Sequence, residues 1–237
     1  NKVWRADIGT GSSSRGRLSA VPIVAGGKVY ALDAAGNVSA LSTANGAEVW
    51  SISLTPKNEK KAEGFGGGLA LDGGRLYVTT GYGTAVGLNP ESGEVLWTQK
   101  VGEPIRSSPT AAGGKVYFVS TDSMLHCLDG ASGQELWTAR GVPERATLLS
   151  NVSPAIGQGK VVAAFPAGDV AAYDPGSGQP GWTDSLSRTS ETTAAGILAD
   201  PSRPVIDRGV VFVAGHGGRM IAVSESSGER LWTRDVA

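Results

Sequence analysis

Gly133-Gln134-Glu135-Leu136-Trp137 is one of five copies of Gly-x-x-x-Trp in this chain. The others run Gly46 to Trp50, Gly93 to Trp97, Gly178 to Trp182 and Gly228 to Trp232. The sixth tryptophan, Trp4, falls on the same period, with successive tryptophans 46, 47, 40, 45 and 50 residues apart. One aromatic fixed in a repeat of about 40–50 residues is the mark of a blade array, in which each unit buries its apolar face against the next.

A second signpost precedes each tryptophan by 23 residues: Gly27 before Trp50, Gly74 before Trp97, Gly114 before Trp137, Gly159 before Trp182 and Gly209 before Trp232. It reads Gly27-Lys28-Val29-Tyr30 in the first copy and Gly209-Val210-Val211-Phe212 in the last. Nine residues further on stand Gly36, Gly83, Gly168 and Gly218, with Ser123 taking that place in the third copy. The unit therefore tolerates no change in length, and all variation lies between one Trp and the next signpost. Its β-branched and aromatic runs, punctuated by Gly turns, predict three antiparallel strands. A fourth is predicted just before the signpost, where Val21-Pro22, Ser108-Pro109, Ser153-Pro154 and Arg203-Pro204 suit a strand start that needs no ladder donor. The expected fold is all-β: a β-propeller of four-stranded antiparallel blades forming a single domain over residues 1–237. The repeats fall at approximately 5–50, 51–97, 98–137, 138–182 and 183–232. Lys2-Val3-Trp4 reads as one further closing strand. Five blades are visible with a strand to spare, so the expectation is part of a ring of seven or eight. Trp50, Trp97, Trp137, Trp182 and Trp232 are read as structural docking residues between blades rather than as platforms for a ligand.

Composition narrows the function classes. The 35 glycines are explained by hairpin turns, and a net charge of −1 leaves no electrostatic footprint for nucleic acid. No run approaches the ~18 apolar residues of a membrane span. The single cysteine, Cys127, permits no internal disulfide and is expected to be a buried thiol. Its neighbour His126 points to the opposite face of the strand, so the two do not share a metal. His216, in Gly215-His216-Gly217-Gly218, is read as turn surface, and no His/Cys cluster has zinc spacing. Gly66-Gly67-Gly68 precedes no helix and so is not a phosphate loop. The residues give no catalytic site, no metal and no cofactor.

Binding residues are expected where length varies. Connections leaving each Trp should share a face with the turns at Gly36, Gly83, Gly168 and Gly218, and insertions on one face mark a binding face. The longest run from Ser51 to about Gly66, from Thr138 to Ser153 and from Thr183 to Arg203.

Leu128-Asp129-Gly130-Ala131-Ser132-Gly133-Gln134-Glu135-Leu136-Trp137 and its weaker copies resemble the tryptophan-docking motif of propellers of the pyrroloquinoline-quinone type. That family contains quinone-dependent dehydrogenases with calcium and, in many, a pair of adjacent cysteines. It also contains non-enzymatic assembly factors of the BamB type. The stretches Leu148-Leu149-Ser150-Asn151-Val152-Ser153-Pro154 and Asp200 to Ala222 resemble the BamB blades. That resemblance implies a non-catalytic periplasmic scaffold lipoprotein of the outer-membrane β-barrel assembly (BAM) complex. The implied partner is a BamA-like β-barrel assembly protein, with unfolded outer-membrane proteins as a further one. Attachment to the membrane would be only through a lipid anchor that this chain lacks. The partner-binding residues it implies are Leu148, Leu149 and Asn151 on one loop, and Asp200, Ser202 and Arg203 on the next. The chain departs from the BamB pattern in lacking an arginine near Leu149 and in having one aspartate, Asp200, where BamB has two. Two other readings stay open: part of a quinone-dependent dehydrogenase, or a ligand-sensing propeller ectodomain.

Overall fold

The computed structural model describes residues 3–12, 20–59, 64–141, 152–166, 168–186, 201–215 and 217–235. Among them are twenty strands and no helix. The first sheet holds Ile23–Ala25 (β1), Lys28–Leu32 (β2), Asn37–Ser42 (β3) and Glu48–Ser53 (β4). The second holds Gly67–Asp72 (β5), Arg75–Thr80 (β6), Thr84–Leu88 (β7) and Val95–Lys100 (β8). The third is Thr110–Ala112 (β9), Lys115–Val119 (β10), Met124–Asp129 (β11) and Glu135–Arg140 (β12). The fourth is Ala155–Ile156 (β13), Val161–Ala164 (β14), Asp169–Tyr173 (β15) and Pro180–Ser185 (β16). The fifth is Val205–Asp207 (β17), Val210–Ala214 (β18), Arg219–Ser224 (β19) and Arg230–Asp235 (β20). Each sheet follows chain order, so every connection within it is a hairpin.

The short first strands begin just past the prolines that mark them, where a residue without an amide proton does least harm. Gly26-Gly27 closes the first hairpin with φ of +55° and +74° at its two central positions, the left-handed pair that a two-residue turn between twisted strands requires. The inner strands are buried on both faces, as in Thr84–Leu88. The fourth strand alternates, and in Val95–Lys100 only Trp97 is buried.

The chain divides into two compact units, Asn1–Val116 with Asp129–Gln134, and Tyr117–Leu128 with Glu135–Ala237. The first is cored by Tyr30, Leu32, Val38, Trp50, Leu76 and Leu88 among others. The second has two apolar clusters, one around Val162, Trp182, Leu186 and Ile221, the other around Tyr117, Leu125, Cys127 and Phe165. Cys127 is buried in the latter.

Successive repeats are joined by one recurring contact. Trp4, Trp50, Trp97, Trp137 and Trp182 each lie on the glycine of the following Gly-x-x-x-Trp. A Cβ on Gly46, Gly93, Gly133, Gly178 or Gly228 would stand 2.5–2.6 Å from the tryptophan side chain. Each indole Nε1–H then donates to the carbonyl three residues before that glycine: Thr43 at 2.9 Å, Pro90 at 2.9 Å, Gly130 at 3.0 Å, Pro175 at 3.3 Å and Glu225 at 2.7 Å. The signpost tyrosines converge on the same acceptors, Tyr30 on Pro90 O and Tyr117 on Pro175 O. Trp97 therefore explains why the 129–134 turn belongs with the first unit. Trp232, on whose ring no described glycine lies, is 37% exposed where Trp50, Trp97 and Trp182 are at 9%.

Of Lys2-Val3-Trp4, read as a closing strand, Val3 and Trp4 lie in no strand among the described residues. Lys2 lies outside the described residues, and residues 3–12 pair with no strand among the described ones. A strand exists by its ladder, whereas the docking of Trp4 needs only an indole and the turn at Thr43–Gly46.

The turn under each indole is built by its first side chain. Asp129 Oδ1 accepts from the amides of Ala131 and Ser132 and from the Ser132 hydroxyl, and Asp174 does the same with Gly176 and Ser177. Asn89 fills this role in the second repeat. The hydrogen bonds hold both carboxyls below the usual range: at Asp129 chiefly the Ser132 hydroxyl, at Asp174 chiefly the Ser177 amide.

A carboxyl whose folded-state pKa is depressed contributes stability that is present above the unfolded value, near ~3.9, and is lost as pH falls through the folded one. The double variant Asp129→Asn/Asp174→Asn is therefore expected to lose less stability than wild type between about pH 5 and pH 3, read by urea denaturation across a pH series. At the joint itself, Gly93→Ala places a methyl in the Trp50 ring at φ +74°. It is expected to cost about 2–4 kcal/mol in the same assay at neutral pH.

Candidate functional site

The connections that leave the tryptophan strands are held at their roots in a repeated way. Four residues after Trp50, Trp97, Trp137 and Trp182, a backbone amide donates to the carbonyl of the β2–β3-type turn of the same blade. The pairs are Leu54 to Gly36 at 2.9 Å, Val101 to Gly83 at 3.0 Å, Gly141 to Ser123 at 2.8 Å and Leu186 to Gly168 at 2.9 Å. Turn and connection thus lie side by side, as the strand alternation implies.

Two of these connections carry the residues singled out from the sequence. The first leaves at buried Gly141 and returns at Val152, which packs in the cluster of Trp182 and Leu186 and is followed by buried Ser153 and Pro154. The second leaves at Leu186, 3% exposed in that same cluster, and returns at Pro201, bridged to Gly215. Leu148, Leu149, Asn151 and Asp200 lie outside the described residues, as does His216. Ser202 and Arg203 are exposed on the returning limb. Ser202 donates its amide to Ala214 O at 2.6 Å, and its hydroxyl accepts the Ala214 amide at 3.2 Å. Ser202 therefore clips the loop to the end of β18, and this positions Arg203 beside it. At the root of the first connection, Arg140, Phe165, Asp169, Tyr173 and Asp184 line an open cavity of about 340 Å³.

The third blade carries a chain of polar side chains. Phe118 stacks on His126 at 5.0 Å; His126 Nε2 lies 3.0 Å from Ser120 Oγ and Nδ1 3.0 Å from Glu135 Oε2. Serine, histidine and carboxylate in this order suggest a nucleophile and its base. However, the Ser120 hydroxyl also meets Asp122 Oδ1 and Met124 O, and Ser120 is 4% exposed, enclosed within the blade. The chain knits the blade together. Among the described residues no group of three His, Cys, Asp or Glu side chains could hold a metal ion. Nor is any helix there long and apolar enough to cross a membrane.

One feature passed over in the sequence is Arg106, whose guanidinium lies 4.4 Å from the centroid of Phe65. Its only sequence signal is the glycine run Gly64-Phe65-Gly66-Gly67-Gly68, which shows no partner until the chain is folded.

Four-stranded sheets joined by a tryptophan docked on the next repeat define a β-propeller of the tryptophan-docking class. Over residues 1–64 and 34–237 the chain matches the family described as outer membrane protein assembly factor BamB, and it belongs to that family. It is 27% identical over 238 residues to outer membrane protein assembly factor BamB of Nitrosomonas eutropha (strain DSM 101675 / C91 / Nm57), covering 100% of this chain and 55% of that protein. It is 30% identical to that of Escherichia coli (strain K12), covering 99% of this chain and 60% of that protein. Among solved structures, BamB from Moraxella catarrhalis superposes with a TM-score of 0.70 at 20% identity, over 98% of this chain and 64% of that one. Quinohemoprotein alcohol dehydrogenase from Comamonas testosteroni gives 0.73 at 16%, over 94% and 44%. Both structural likenesses speak to the fold.

The Ser123 turn tests how the first connection is held. Ser123 has φ +63°, where the equivalent Gly36, Gly83, Gly168 and Gly218 have φ of +71° to +88°. Ser123→Gly removes the strain of a left-handed serine and keeps the carbonyl that receives Gly141. It is expected to raise stability by about 0.5–1 kcal/mol, measured by chemical denaturation.

Proposed function

We propose that this chain is the loop-presenting part of a non-catalytic scaffold for outer-membrane protein assembly, acting at the periplasmic face of the outer membrane. Its partner is a BamA-like β-barrel assembly protein, and its attachment to the membrane is a lipid anchor outside this chain. Membership of the BamB family supports the process. The observation that carries the site is the double anchoring of the two connections. Gly141 and Val152 hold the two ends of one, and Leu186 and Pro201 the two ends of the other. Leu148 and Leu149 supply the apolar anchors, with Asn151, Asp200, Ser202 and Arg203 as the polar rim, the division of labour common to protein interfaces. Unfolded outer-membrane proteins are a second class of partner for the same face.

Leu148→Asp/Leu149→Asp tests this in a pull-down from solubilised envelope. The variant is expected to capture at least about tenfold less of the barrel-assembly partner than wild type, with an unchanged melting temperature. Equal capture by both would move the site elsewhere on the protein. No capture by either would overturn the scaffold reading, and a spectral change on adding pyrroloquinoline quinone with calcium would then favour the dehydrogenase.

A further inference from the structure

The first joint between repeats departs from the other four at the residue before its docking glycine. That residue is Ser92, Ser132, Ser177 and Ser227 in the later repeats, and Asn45 in the first. Each serine hydroxyl accepts the amide two residues on at 3.3–3.4 Å, and Asn45 Oδ1 does the same for the Ala47 amide at 3.0 Å. Either side chain therefore builds the turn, but asparagine brings a chemistry that serine lacks. Asn45 is the only asparagine in the chain followed by glycine. With no Cβ on that next residue, the Gly46 amide nitrogen is unhindered for attack on the Asn45 side-chain carbonyl carbon. Asn45 is exposed, so the water that this chemistry consumes reaches it.

The same joint is the one whose tryptophan has no ladder. Trp50, Trp97, Trp137 and Trp182 lie in β4, β8, β12 and β16, whereas residues 3–12 pair with no strand among the described ones. Trp4 is held by its ring on Gly46 and by its Nε1–H to Thr43 O at 2.9 Å. Further along its segment, the Thr10 amide donates to Asp33 Oδ2 at 2.9 Å and Thr10 O accepts the Ala34 amide at 3.0 Å. While Trp4 is docked the turn is closed. The Gly46 amide donates to Ser42 O and the Ser42 amide to Ala47 O, both at 2.8 Å. The nitrogen that would attack is thus engaged, and the indole covers its glycine. A segment without a ladder opens at lower cost than one inside a sheet, and that opening releases the Gly46 nitrogen.

We propose that Asn45 is a site of spontaneous deamidation and isoaspartate formation, guarded by the docking of Trp4. When the joint opens, the Gly46 nitrogen attacks Asn45 Cγ. A C–N bond forms, the side-chain nitrogen leaves as ammonia with the proton that Gly46 gives up, and a five-membered succinimide remains. One water then opens the ring. Cleavage between Cγ and the nitrogen gives aspartate on the original backbone. Cleavage between the main-chain carbonyl carbon and the nitrogen gives isoaspartate, whose backbone runs through Cβ and Cγ and is one atom longer. The sum is asparagine and water to aspartate or isoaspartate and ammonia, with no oxidant, reductant or second reactant. In the isoaspartyl product the extra atom falls inside the turn that Ser42 and Ala47 close, so Gly46 and Thr43 O no longer stand in register beneath the indole. Deamidation converts a reversible opening of the first joint into a permanent one and frees Trp4 from its hold. The site is independent of Leu148, Leu149 and Asp200 and of the protein those loops engage.

The test incubates the whole folded chain in mildly alkaline buffer and follows it by digestion and mass spectrometry, with isoaspartate counted by protein isoaspartyl methyltransferase. Conversion is expected at Asn45 ahead of every other asparagine. Asn45→Ser, the residue of the other four turns, is expected to show none at this position. Trp4→Ala is expected to deamidate about five- to thirtyfold faster than wild type when folded, and at the same rate as wild type in denaturant. Trp4→Phe keeps a ring on Gly46 without an N–H for Thr43 O; it is expected to fall between the two, and it serves if Trp4→Ala does not fold. The Trp4 indole N–H resonance, assigned by its loss in Trp4→Phe, is expected to move in the isoaspartyl protein. It is expected to stay in place in Asn45→Asp, which adds the charge without the extra backbone atom. An intact Asn45 after other asparagines have converted overturns the proposal. So do equal rates in folded wild type and folded Trp4 variants, or an unmoved Trp4 resonance in the isoaspartyl protein.

Discussion

An indole laid on a glycine, with its N–H directed at a carbonyl three residues earlier, is the contact on which the rest of this protein depends. It occurs five times with the same partners in register. The glycine is needed twice over. Its backbone is left-handed at φ near +70°, and its missing Cβ is the space the ring occupies. At Gly130 and Glu225 the carbonyl that receives the indole is buried, and losing that donor would be costly, so ring and turn are each incomplete alone. The Asp, Asn or Ser at the head of the turn shapes the carbonyl's position by binding the amides that follow it. Sheet, turn and joint are thus one cooperative element repeated along the chain.

The fixed 23-residue spacing from signpost to tryptophan follows from this. Any insertion inside the unit would displace either the tyrosine or the tryptophan from the shared carbonyl. Insertions are tolerated only after the tryptophan strand, and there the structure clamps the chain again by the amide four residues on. What lies beyond the clamp is free to vary in length and composition without disturbing the blades, which is the physical basis for placing recognition in those connections.

The repeat was readable because both of its requirements are written in residue type: glycine where no Cβ fits, and tryptophan where a large donor ring is needed. The prolines before the first strands were equally plain, and each such strand begins where its proline predicts. Trp4 shows the limit of that reading. Its residue type announced a strand, whereas the structure keeps the docking and forms no ladder around residues 3–12. Ser202 was singled out as a partner-binding residue from resemblance, and its hydroxyl is engaged with the Ala214 amide. The polar chain through His126 gave no sequence signal beyond the histidine itself, because Ser120, Asp122 and Glu135 reach it only through the pairing of β10, β11 and β12.

The sequence by itself determined the architecture of this protein: the strand count per repeat, the turn positions, the docking tryptophans and the one place where length can change. These follow from local sterics and from a period that each repeat restates. Only the tertiary structure decided which carbonyl each indole meets, how the connections are clamped at their roots, and that Arg106 lies on Phe65. Those features join residues that are distant in the chain, Phe65 with Arg106 and Trp182 with Glu225, and no local pattern encodes the distance between them.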